Sequence, residues 1–206
     1  MLITLELRWF CRGTPPIEVE HWFSADCLGQ LQESVEERED LYLYTPECDY
    51  LNIKLRQGNL EVKWRKAELG IRRFNPSWEG KVEQWLKWSC EDPTKQSIIA
   101  ADLIGKRPWV AVKKRRRQRR FAVQRSQPLY QTLSCELTEL NVKSDRWWSV
   151  ACEMATEDAN QIDEFENLVS QVSQTYQGLE LLAENSYAYP RWLSVLSGLT
   201  NGHHIE

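Results

Sequence analysis

The chain has 206 residues, a net charge of −4 and 42% hydrophobic residues, a size and balance that suit one globular domain. No apolar run approaches the roughly 18 residues of a membrane span, and the net negative charge argues against a protein dedicated to nucleic acid. Ten tryptophans lean the composition towards β-structure.

Leu2 to Phe10 alternates with period two, which predicts a strand. Pro15-Pro16 ends it, and an irregular or partly helical stretch is expected to about Glu37. Leu51, Ile53 and Leu55 then alternate with Asn52, Lys54 and Arg56. The turn signal Gln57-Gly58-Asn59 follows, and Leu60, Val62 and Trp64 alternate with Glu61, Lys63 and Arg65. This reads as a hairpin with Lys54, Arg56, Lys63 and Arg65 on its polar face. Lys81 to Trp88 predicts another strand.

Trp109 to Phe121 is the most charged strand expected. With Val110 and Val112 on the apolar side, Lys113, Arg115 and Arg117 fall on the polar side. The opposite register uses Lys114 and Arg116, because a slip of one residue exchanges the faces. Leu133 to Val142 and Trp147 to Ala155 complete the strands, joined by Lys143-Ser144-Asp145. Thr156 is placed to cap an amphipathic helix of about five turns, carrying Ile162, Phe165, Leu168, Val169, Val172, Tyr176 and Leu179 on one face. A short helix is expected around Arg191 to Leu199, and residues 200–206 as a loose tail.

Six cysteines, at 11, 27, 48, 90, 135 and 152, form no CxxC pair or metal spacing. With no signal-like N-terminal segment, reduced thiols and a cytoplasmic location are expected. Of the three histidines, His203 and His204 read as a solvated tail and His21 has no evident partner. No HExxH, P-loop or nucleophile elbow occurs.

Several strands carry one apolar face and one face dense with Lys, Arg and Glu. A sheet with one solvated face is the plain reading. A closed antiparallel barrel with a polar lumen is the sharper one, its apolar outside covered by helices. Crowded cations would then need a counter-anion, which suits a polyphosphate. Glu6, Glu61, Glu136 and Glu153 could supply oxygens to a hard divalent ion. The run from Lys113 to Arg120 could instead bind RNA from outside the barrel. A Trp-lined pocket for an organic ligand is a further alternative.

Six segments carry a resemblance to a known family. They are LELRW; EREDLYL with YLNIKLRQGNLEVKWR; WVAVKKRRRQRRF; CELTEL; WWSVACEM; and, after the long helix, NSYAYPRWL. In this order they resemble the CYTH superfamily, the triphosphate tunnel metalloenzymes, across nearly the whole chain. The resemblance implies an α+β fold, an eight-stranded antiparallel barrel (tunnel) with flanking helices. Members hydrolyse inorganic or thiamine triphosphate, cyclise ATP, or remove an RNA 5′-phosphate. It implies catalytic roles for Glu6, Arg8, Glu136 and Glu153, with Glu6, Glu136 and Glu153 holding Mg²⁺ or Mn²⁺. Lys54, Arg56, Lys63, Arg65, Lys113, Arg115 and Arg117 would hold phosphate. The family's ExExK strand falls on Thr4, Glu6 and Arg8, so one acidic position is Thr, which cannot replace a carboxylate on a divalent ion. The expected function is binding of a short polyphosphate or organic triphosphate, with metal-dependent hydrolysis or a catalytically impaired binding module as its two forms.

Overall fold

The computed structural model describes residues 1–90, 108–123, 131–156 and 161–201. Nine strands run through them: β1 Leu2–Arg12, β2 Gln30–Leu31, β3 Glu36–Leu43, β4 Leu51–Arg56, β5 Asn59–Asn75, β6 Trp78–Cys90, β7 Trp109–Val123, β8 Gln131–Val142 and β9 Asp145–Thr156. Three α-helices accompany them: α1 Ile17–His21, α2 Ile162–Ser173 and α3 Tyr189–Asn201. A π-helical turn, Trp22–Asp26, continues α1.

Eight strands pair antiparallel in the order β7-β3-β4-β5-β6-β1-β9-β8, and β8 pairs back to β7. The sheet is therefore a closed antiparallel barrel, and only the two-residue β2 lies outside the ring, against Arg119 and Arg120. Closure removes the unpaired edges that an open sheet of alternating strands would present. The β4–β5 turn has positive φ at both Gln57 and Gly58. Two such residues match a tight turn to the right-handed twist of the strands it joins.

Outward-facing apolar side chains of β1, β6, β8 and β9 form the larger core. Leu5, Leu7 and Trp9 of β1 pack there with Val19 and Trp22, and with Phe165, Leu168, Val169 and Val172 of α2. The helix expected from Thr156 is shorter than its apolar spacing suggests. Thr156 ends β9, and α2 begins at Ile162. The chain leaves helical conformation after Ser173, yet Tyr176 still packs edge-on against Trp22 and Trp78. Burial of Tyr176 by a turn, rather than by a helix, produced the misleading spacing.

A second core lies inside the barrel. Glu6 and Arg8 of β1 point into the lumen, so with period two Phe10 does as well. Phe10, Tyr42, Val112, Leu140 and Trp147 meet Trp192, Leu193 and Leu196 of α3. Phe10 stacks on Trp192 with ring centroids 5.0 Å apart. The C-terminal helix thus closes one end of the lumen with aromatic side chains. The tail expected from residue 200 begins inside α3, and residues 202–206, with His203 and His204, fall outside the described residues. All six cysteines are free. Among the described residues, no helix is long and apolar enough to cross a membrane.

Candidate functional site

Below the aromatic end, the lumen is a cavity of about 390 Å³ lined by side chains from all eight barrel strands. Ten of its lining residues are Lys or Arg and five are Glu. Period two brings Glu6 and Arg8 from β1, Lys54 and Arg56 from β4, Lys63 from β5, Glu136 from β8 and Glu153 from β9 to the same interior. All seven were singled out in the sequence.

The other phosphate-holding expectations are corrected by geometry. Lys114, Arg116, Gln118 and Arg120 of β7 line the cavity, so Lys113, Arg115 and Arg117 face outwards. The expected register assumed that Val110 and Val112 mark the outer face. Val112 in fact packs inside with Phe10 and Leu140, and Val110 packs against the same cluster, because that end of the lumen is apolar. Outward-facing Arg115 is bound by Glu139 at 2.6 Å, and Arg117 by Glu20 at 3.2 Å. Arg119 donates to the backbone carbonyls of Phe23, Ser24 and Gly29. The outer face of β7 therefore offers no row of free arginines. Arg65 is held at the margin of the site by Glu83 at 2.9 Å, Asp49 at 3.0 Å and Glu68 at 3.1 Å.

Sequence reasoning missed Arg38 and Asp40, although both lie in the EREDLYL segment. The same period-two alternation that places Tyr42 inside places them there too. Arg38 binds Asp40 at 3.0 Å and also contacts Glu36, which in turn contacts Arg116. Lys114 Nζ lies 3.0 Å from Asp40 Oδ2, donates to the Tyr42 hydroxyl, and sits 4.0 Å from the centre of the Tyr189 ring. Glu61 contacts Lys54 at 3.1 Å, Lys87 at 3.4 Å and Arg56.

The electrostatics follow from this crowding. Burial, with repulsion from Arg38 and Arg8, outweighs Asp40 and brings the Lys114 ammonium down to about 7. Burial and the neighbouring Lys114 bring Lys54 down to about 8. Burial opposes ionisation of Asp40 and Glu61, but the cations around each outweigh it and hold both near 2. Arg8 and Arg116 likewise overcome burial at Glu136 and keep it well below the usual carboxylate range. Glu153 is pushed up, chiefly by burial; Lys63 draws it down by less, and the adjacent Glu6 adds to the rise.

The three expected metal ligands all line the cavity, but their partners differ. Glu6 and Glu153 are direct register partners, whereas Glu136 is held by Arg8 at 3.0 Å and Arg116 at 2.7 Å. Among the described residues no group of three His, Cys, Asp or Glu side chains has the geometry to hold a metal ion. Thr138 Oγ1 faces the cavity, buried and without a hydrogen-bond partner.

Fold and site together define a closed eight-stranded antiparallel barrel with a charged lumen. No family model matches the chain, and no curated protein does. Among solved structures, the PH1819 protein from Pyrococcus horikoshii OT3 is similar at 13% identity and a TM-score of 0.47, covering 95% of this chain and 99% of that one.

Proposed function

We propose that the lumen binds a short polyphosphate or an organic triphosphate. The observation that carries this reading is the imbalance of charge: ten cationic side chains against five carboxylates around one cavity closed at one end. Glu36 and Asp40, on the same face of β3 as Arg38, also pair with lumenal cations and reduce the excess from five to three. Like charges at this density repel in a partly dry site, and a compact polyanion relieves the repulsion. Arginine forks match phosphate oxygens in pairs, and the Thr138 hydroxyl can donate to one. The cavity lies within the range of about 300–1,000 Å³ common for small-molecule sites. The resemblance to the CYTH superfamily supports the same class of ligand.

Binding is favoured over metal-dependent hydrolysis by two features of β1 and β5. Thr4 stands at a position where the resemblance implies a carboxylate, and it donates its hydroxyl to Glu6 at 2.5 Å. Lys63 is bound to Glu6 and Glu153. The RNA reading is less favoured, because Arg115, Arg117 and Arg119 have partners within the protein.

Thermal unfolding with and without tripolyphosphate, at matched ionic strength, tests the proposal. A ligand at a hundredfold excess over its Kd stabilises the folded state by about 2.7 kcal/mol, so a clear rise in Tm is expected. No rise at millimolar tripolyphosphate contradicts it. Phosphate release from tripolyphosphate, thiamine triphosphate and ATP is expected to stay at background; turnover would restore the hydrolase reading.

A further inference from the structure

Glu6 and Glu153 face each other across β1 and β9, and both enter the lumen. Two carboxylates placed so closely repel unless a cation lies between them. Here the cation belongs to the chain. Lys63 Nζ is 2.7 Å from Glu6 Oε1 and 3.5 Å from Glu153 Oε2. A hard divalent ion needs about six oxygen ligands, and carboxylates supply its tightest ones. Among the described residues, two carboxylates face this point. Thr4 contributes a hydroxyl that is already spent on Glu6, and Glu136 is committed to two arginines. With Lys63 between the two carboxylates, the donor set does not fit Mg²⁺ or Mn²⁺.

We infer that the Lys63 ammonium stands in place of a divalent metal, excluding the ion from the Glu6–Glu153 pair and leaving the lumen to take its anion without metal. The second half of this inference rests on the proposed anion binding; the first half does not. An ammonium has three donors, so Lys63 can satisfy both carboxylates and turn a third N–H towards an anion in the cavity. Being tethered, it is present whatever the free metal concentration, and it needs no dehydration of an aqueous ion on entry. A divalent ion at this place would add one more unit of positive charge than Lys63 does. The lumen supplies that charge from elsewhere, through Arg8 and Arg116 beside Glu136.

Mn²⁺ binding, followed by the electron paramagnetic resonance of the free ion, tests the exclusion without any anion present. Wild type is compared with Lys63→Gln, Glu153→Gln and the double variant. Lys63→Gln is expected to bind one Mn²⁺ at least about tenfold more tightly than wild type, and the double variant to lose that gain. Wild-type Mn²⁺ binding that disappears in Glu153→Gln overturns the inference, as does a Lys63→Gln protein that gains nothing. If Lys63→Gln does not fold, equal Mn²⁺ binding by wild type and Glu153→Gln supports the exclusion, and a loss in Glu153→Gln refutes it. The affinity of wild type for tripolyphosphate is then measured calorimetrically in EDTA. Undiminished affinity is expected, and binding that vanishes on chelation overturns the metal-free lumen. Absence of binding with and without metal refutes the anion reading instead, and the Mn²⁺ result stands apart from it.

Discussion

The interior of this barrel changes chemistry within a single step of two residues. Phe10, Tyr42, Val112, Leu140 and Trp147 surround Trp192 at the closed end. Two residues along the same strands stand Arg8, Asp40, Lys114, Thr138 and Ser149. The first ring is packed like a protein core. The second is a network of ion pairs with more cations than carboxylates. The contrast teaches that a strand's inner face need not have one chemistry. It also suggests a division of labour, in which the aromatic ring supplies stability beside crowded charges that cost it.

Breaking the apolar ring tests the first half of that division and has the largest expected effect. Phe10→Ala removes a fully buried ring stacked on Trp192, and a loss of about 3–5 kcal/mol is expected from the urea midpoint. A loss below about 1 kcal/mol would show that the closed end is not tightly packed.

Glu136→Gln attacks the charged ring. It leaves Arg8 and Arg116 without the carboxylate between them, and a loss of about 3 kcal/mol is expected. The same change releases Arg8 from its carboxylate and leaves Arg116 with Glu36 alone, so affinity for tripolyphosphate should rise while stability falls. A parallel fall in both would mean that Glu136 assists the anion rather than competing with it.

The pH dependence sharpens the comparison further, because the apolar ring does not titrate. Lys114 and Lys54 have folded values near 7 and 8, below the ordinary 10.5. From pH 7 to 9 the unfolded chain keeps protons that the folded chain has released, so stability should rise with pH. Lys114→Met should flatten that rise. On the acid side Asp40 and Glu61 are depressed to about 2 from 3.8 and 4.5, so their contribution should fade as pH drops from about 4.5 towards 2. Anion binding at pH 8 should take up protons, visible as a dependence of calorimetric heat on buffer ionisation enthalpy.

The smallest effect is expected outside the barrel. Arg115 is about half exposed and its pairs with Glu139 and Glu37 are screened by solvent. Arg115→Ala should cost no more than about 0.5 kcal/mol and leave anion affinity unchanged.

Much of the barrel was legible in the sequence because period two is a strong signal where one face is uniformly apolar. The β4–β5 hairpin and β1 show this. Residues 66–75 were not legible as strand. They extend β5 through three irregularities in its pairing with β6, each of which breaks the alternation. At β7 the alternation was clear but its sense was not. Val110 and Val112 pack into the apolar end of the lumen, and sequence reasoning took apolar to mean outside. Lys113, Arg115 and Arg117 were consequently taken as the phosphate-holding set, with Lys114 and Arg116 as the alternative register. Arg38 and Asp40 were hidden by the acidic residues around them. The seven lumenal residues that were found lie on strands where most inward positions of the charged ring are polar, Ala155 of β9 being an exception.

On the proposed reading, the inward-facing cations of β7 bind the anion and the outward-facing ones do not. Calorimetric titration of tripolyphosphate into Lys114→Ala/Arg116→Ala and into Lys113→Ala/Arg115→Ala tests it most directly. Each buried charged contact to phosphate is worth about 1.5–3 kcal/mol, so the first variant should lose at least about tenfold in affinity and the second should match wild type. Equal loss in both variants, or loss only in the outward pair, would contradict a lumenal site.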